Sequence, residues 1–160
     1  MANDAELAAA LLAGARMEIT MFNHYNALIG KIDSAPRRHE LSNIRLQEVK
    51  HLETASDVLE KVVATPALFD KMLPPADFPK SATIIGHLKP GKTDDLGVEE
   101  GLKRCYVLER DYEKVYNGIF SQVRDPTMKA RLMSLVLESR AHAAIVGRIL
   151  ESMEIQVPGV

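Results

Sequence analysis

The chain has 160 residues, 46% of them hydrophobic and 26% charged, which suits one globular domain with its own core and excludes a disordered polymer. Its net charge of −2, with no long basic run, gives no electrostatic support to a nucleic-acid partner or an acidic membrane surface. A single cysteine, Cys105, excludes an internal disulfide framework and suits a reducing compartment, so a cytoplasmic location is expected.

The first stretch, MANDAELAAALLAGARMEI, holds an alanine/leucine run but lacks the basic leader of a secretory signal, with Asp4 and Glu6 where Lys or Arg would stand. Its apolar residues continue at helical spacing through Ile32. It therefore reads as a first helix over residues 4–33, capped by Asn3 or Asp4, with Leu7, Leu11, Ala15, Phe22, Tyr25, Ile29 and Ile32 as its stripe. No apolar run approaches the roughly 18 residues of a membrane span.

Ser34-Ala35-Pro36 predicts a short turn. A second helix follows over residues 36–64, with Leu41, Ile44, Ala55, Val58, Leu59 and Val62 inward. A third spans 98–123, with Leu102, Cys105, Tyr112, Tyr116, Ile119 and Val123 inward. Asp125-Pro126 breaks it and opens a fourth, ending near Met153, whose inward residues are Leu132, Leu135, His142, Val146 and Ile149.

Residues 65–97 carry five prolines and three glycines, too many for a long helix. A structureless connection of that length has a use if it crosses the length of a bundle between two helical hairpins. The expected fold is all-α: an antiparallel four-helix bundle with one long crossover between helices 2 and 3, forming one domain over residues 1–160.

The two hairpins read as copies. A shift of 91 residues lays Glu18 on Glu109, Tyr25-Asn26 on Tyr116-Asn117 and His51 on His142, besides several apolar pairs. Matching apolar positions would arise in any two amphipathic helices, but the matching polar residues argue for a two-fold arrangement.

Those polar residues lie on the apolar stripes. Glu18 is flanked by Leu11, Ala15, Phe22 and Tyr25, and Glu109 by Cys105, Tyr112 and Tyr116; Glu48 and His51 lie within the stripe of helix 2. Isolated buried charges cost on the order of several kcal/mol each, so such groups must be protonated, paired or bound to a cation. One inward polar group is most simply a hydrogen-bonded core residue. Three carboxylates with two imidazoles repel one another unless a cation sits among them, and they suit a pair of ions such as iron or manganese.

The pattern resembles the ferritin-like superfamily and, within it, the di-iron domain of rubrerythrin-like proteins. That pattern has one glutamate on helix 1, Glu-x-x-His on helix 2, one glutamate on helix 3 and Glu-x-x-His on helix 4. Glu18, Glu48 with His51, and Glu109 match it. On helix 4 His142 fits, but Ser139 stands three residues before it, and the nearest carboxylate is Glu138. Glu138 shares a face with His142 at i and i+4, and Glu113 on helix 3 is another flanking carboxylate.

The resemblance implies metal ligands Glu18, Glu48, His51, Glu109, Glu138 and His142, holding two iron ions, with manganese or a mixed pair as variants. It implies an oxidoreductase acting on peroxide, dioxygen or ferrous iron. Full rubrerythrins carry a further iron domain held by Cys-x-x-Cys knuckles, which one cysteine cannot build, so electrons are expected from an external donor protein. A homo-oligomer, a dimer or larger, is the other expected partner. The alternative function, favoured by Ser139, is a metal-free or single-metal bundle with a structural or interaction role.

GHLKPGKT, residues 86–93, matches a phosphate-binding loop pattern, but the two acids and glycine after it and the lack of a parallel sheet make it a chance match. His24, His39 and His87 fall outside the repeat and read as surface residues.

Overall fold

A computed structural model describes residues 4–63 and 96–159. The described residues form four helices and no strand: α1 (Asp4–Ile29), α2 (Ala35–Val63), α3 (Val98–Gln122) and α4 (Pro126–Ser152). They pack as a helical bundle in which α1 touches α2 and α3, and α4 touches α3 and α2. Most of the expected connection between α2 and α3 lies outside the described residues, as do the phosphate-loop match, His87 and Asn3. No described helix is long and apolar enough to cross a membrane.

The helix ends follow local chemistry. Asp125 caps α4 by accepting from the Met128 N–H at 2.8 Å, and Pro126 occupies the first turn, where its missing N–H costs nothing. α1 stops at Ile29, short of Asp33, because the Lys31 and Ile32 amides both turn back onto the Leu28 carbonyl. The Arg38 guanidinium then donates to the Ile32 and Asp33 carbonyls, tying the turn to the start of α2.

The inward residues expected on α2, α3 and α4 are all buried. α1 differs. Its core residues are Ala8, Leu11, Ala15, Met21, Tyr25 and Leu28, followed by Ile32 just past its end, while Leu7, Phe22 and Ile29 are only partly buried. With Glu18 included, the buried set advances by three- and four-residue steps, which keeps one seam facing its neighbours; Phe22 and Ile29 lie one residue, about 100°, off that seam. The same seam corrects the reading of His24 as a surface residue. It is 6% exposed, because it lies three residues after Met21 and four before Leu28. His39 is exposed as expected.

At Gly14 the side chain of Tyr116 on α3 presses against the backbone of α1. A Cβ there would lie 3.0 Å from the Tyr116 ring and 3.1 Å from its hydroxyl. The bare backbone lets Tyr116 of α3 lie against α1 and reach Glu18, one turn further along.

Candidate metal centre

Glu18, Glu48, His51, Glu109, Ser139 and His142 are each at most 1% exposed and meet in the middle of the bundle. α1 and α3 each contribute a glutamate, α2 contributes Glu48 and His51, and α4 contributes Ser139 and His142. The two imidazoles stack with centroids 5.1 Å apart and planes 19° from parallel.

The cluster is built twice over. The Tyr116 hydroxyl donates to Glu18 Oε1 at 2.5 Å, and the Tyr25 hydroxyl donates to Glu109 Oε1 at 2.7 Å. Each tyrosine therefore holds the glutamate of the opposite half. His51 Nε2 lies 2.7 Å from Glu138 Oε2, and His142 Nε2 lies 2.6 Å from Gln47 Oε1. Positions 47 and 138 are themselves 91 apart, as are Glu48 and Ser139. The Tyr112 hydroxyl donates instead to the Met17 carbonyl at 2.8 Å.

The acceptors on the Nε2 atoms fix the protons. Each Nε2–H donates outward, which directs Nδ1 of both rings toward the carboxylates. His51 Nδ1 lies 3.5 Å from Glu18 Oε2 and 3.5 Å from Glu48 Oε2; His142 Nδ1 lies 2.9 Å from Glu48 Oε1 and 3.3 Å from Glu109 Oε1. Despite this proximity, both Nδ1 atoms, both oxygens of Glu48, Glu18 Oε2, Glu109 Oε2 and Ser139 Oγ have no hydrogen-bond partner. Two ligands held about 2.1 Å from one ion lie roughly 3.0–3.4 Å apart at octahedral or tetrahedral angles. The separations here, from 2.9 to 3.5 Å, bracket that range. Glu48, His51 and His142 form a buried group that could hold a metal ion, with one donor atom from each lying within 4.8 Å of the others.

Without an ion the cluster must be held together by protons. Burial opposes the charged imidazolium at His51, but Glu18 and Glu48 outweigh it and push the ring up to about 11. At His142 burial is likewise outweighed, by Glu109 and Glu48, and the ring rises to about 9. Burial, then repulsion from Glu109, pushes Glu48 up to about 8. For Glu18, burial favours the protonated form, but the neighbouring His51 and Glu48, with the Tyr116 hydroxyl, prevail and lower it. Burial, then the site carboxylates, pushes the Tyr25 and Tyr116 hydroxyls well above the ordinary range, so both remain donors.

The remaining sequence candidates occupy the margin. Ser139, not Glu138, faces the centre, and α4 runs through this stretch as a regular α-helix. Glu138, with its side chain 42% exposed, meets the outer nitrogen of His51 and accepts from the Ser134 hydroxyl at 2.5 Å. Glu113 is turned to Arg140, which donates to it at 2.6 and 2.8 Å. Cys105 is a buried free thiol, pushed up by burial and then by Glu109 and Glu48.

Sequence reasoning missed Gln47 and the reach of Tyr25 and Tyr116 to the glutamates. The 91-residue shift contained both: it pairs Gln47 with Glu138 and the two tyrosines with each other. No protein-family model, curated protein or solved structure matches the chain.

Proposed function

We propose that this protein is a ferritin-like di-metal carboxylate protein, an antiparallel four-helix bundle with one long crossover, acting as a rubrerythrin-type oxidoreductase on peroxide, dioxygen or ferrous iron. The observation that carries the reading is the set of inward Nδ1 and carboxylate oxygen atoms without hydrogen-bond partners. A dry hydrogen-bonded core has no reason to aim two imidazole nitrogens and four carboxylate oxygens at one another unpartnered; a cation does.

The ligands fall into two halves that share Glu48. One half is Glu18, His51 and Glu48 Oε2; the other is Glu109, His142 and Glu48 Oε1. Bound iron, or manganese, would supply the electrons that reduce the oxidant. The chain's own residues do the rest. Tyr25 and Tyr116 hold one oxygen of Glu109 and Glu18, leaving the other free to bind. Glu138 and Gln47 set the imidazole tautomers. The surrounding core, with Leu11, Ala15, Ile44, Ala55, Leu102 and Leu135 fully or almost fully buried, excludes bulk water. In this reading electrons come from a separate donor protein, and the chain works in the cytoplasm as a dimer or larger homo-oligomer.

A second reading is a single-metal or metal-free bundle with a structural role. Ser139 favours it, since a hydroxyl stands where the resemblance calls for a fourth carboxylate.

Metal analysis of protein purified without chelator separates the readings. About two ions per chain are expected, with Glu18→Ala and Glu109→Ala each lowering the content sharply and Glu48→Ala abolishing most of it. Unchanged stoichiometry in all three variants would eliminate the centre.

A further inference from the structure

Gln47 and Glu138 occupy equivalent places in the two halves and make the same contact, yet only one of them carries a charge. Glu138 Oε2 meets His51 Nε2 at 2.7 Å, and Gln47 Oε1 meets His142 Nε2 at 2.6 Å. The inner donors of the halves are matched in residue type, Glu18 against Glu109, His51 against His142 and one oxygen of Glu48 on each side, although the oxygen nearest Nδ1 is the free Oε2 at Glu18 and the Tyr25-bound Oε1 at Glu109. We infer that Glu138 is a positioning residue, acting through His51, that makes the half built on Glu18 and His51 bind its ion first and more tightly than the half built on Glu109 and His142. The inference rests on the di-metal reading and deepens it.

The physical reason is the charge on the acceptor. An imidazole N–H donating to a carboxylate gives a charge-assisted bond, shifts electron density toward the opposite nitrogen and strengthens it as a ligand; an amide oxygen does this far less. Such outer carboxylates typically change metal affinity about 10- to 100-fold. Glu138 is itself fixed, because the Ser134 hydroxyl donates to its other oxygen at 2.5 Å. At the matching position in the other half, Asn43 pairs with His39 at 3.3 Å. The anionic side chain also lends the His51 half a further negative charge beside a centre whose inner carboxylates number only three.

The test is a Zn²⁺ titration of the full, metal-free chain labelled with ¹⁵N. The imidazole nitrogens are followed by NMR, and the two affinities are measured against a competing chelator. His51 Nδ1 should shift during the first equivalent and His142 Nδ1 during the second, with affinities about 10-fold or more apart. Glu138→Gln should weaken the first step by about that factor, and Gln47→Glu should tighten the second. The double exchange should reverse the order in which the rings respond. A purely structural role for Glu138 predicts no such reversal. Both rings shifting together across two equivalents in the wild type, or an order that survives the exchange, would overturn the inference while leaving the two-ion reading intact; both rings complete at one equivalent would overturn both. Zn²⁺ that perturbs neither ring would remove the metal reading and the inference with it.

Discussion

The Tyr116 hydroxyl on α3 donates to Glu18 on α1, and Tyr25 on α1 returns the same bond to Glu109 on α3. These reciprocal bonds pair the two halves through buried side chains and leave one oxygen of each glutamate without a partner. Tyr116→Phe and Tyr25→Phe would each strip a buried carboxylate of its tyrosine donor, at a cost of about 1–3 kcal/mol. Urea unfolding of the metal-free variants should show losses of similar size in the two. A change below about 0.5 kcal/mol in either would mean that the bond contributes little to holding the halves together.

Gly14 carries the same contact into the backbone. Replacing a mid-helix glycine by alanine ordinarily stabilises by roughly 0.5–1 kcal/mol. Here the new methyl would lie 3.0 Å from the Tyr116 ring and 3.1 Å from the hydroxyl that serves Glu18. Gly14→Ala should therefore destabilise, by about 1–3 kcal/mol, the usual range for overpacking. Thermal unfolding would read it, and a rise in melting temperature would refute the tight approach.

Much of this was legible in the sequence, and the reasons are specific. α2, α3 and α4 carry stripes whose inward members leave little choice. α1 is rich in alanine and leucine all round, so its spacing admitted either Met21 and Leu28 or Phe22 and Ile29, and packing decided for the first pair. Glu18, Glu48, His51, Glu109 and His142 stood out because charged groups on apolar stripes need a reason. Which of Glu138 and Ser139 meets the centre was the one point on α4 left open. Glu138 and Ser139 are one residue apart, and only the packing of α4 shows that Ser139 is enclosed while Glu138 touches His51 from outside. Gln47 was overlooked because an exposed amide on a helix gives no signal by itself; only its place opposite Glu138 in the repeat marks it.

Protonation of the centre gives a pH dependence with a definite sign. Glu48 moves from 4.5 to about 8 on folding, His142 from 6.5 to about 9 and His51 from 6.5 to about 11. All three are raised, so the folded chain binds more protons than the unfolded one and stability falls as pH rises. The Glu48 contribution is complete below 4.5 and lost through about 8; the His142 contribution is complete below 6.5 and lost through about 9. Glu18, which is lowered, acts with the opposite sign but only in the acid range below 4.5. Chelator-treated protein should melt about 5 °C or more lower at pH 9 than at pH 6. Metal uptake should run the other way, releasing protons and tightening as pH rises, because ions displace those protons. A metal-free protein more stable at pH 9 than at pH 6 would contradict the proton count.

Ser139→Glu tests what the centre is built to hold. Ser139 is fully buried, its hydroxyl has no hydrogen-bond partner, and it stands where Glu48 stands in the other half. A glutamate there would be the fourth inward carboxylate. Without metal it adds a buried charge among three others and a larger side chain in a packed core, so the variant should lose at least several kcal/mol of stability. With two divalent ions bound, the same carboxylate completes charge balance, four negative charges against four positive, and supplies a second group able to span both ions. The variant should therefore be markedly less stable than the wild type in chelator but gain more from added Mn²⁺ or Fe²⁺, and its second ion should bind more tightly. Paired melting curves, with chelator and with metal, measure this as a change in the metal-induced shift. A variant destabilised equally under both conditions would show that position 139 is simply core, and that three carboxylates are all the centre uses.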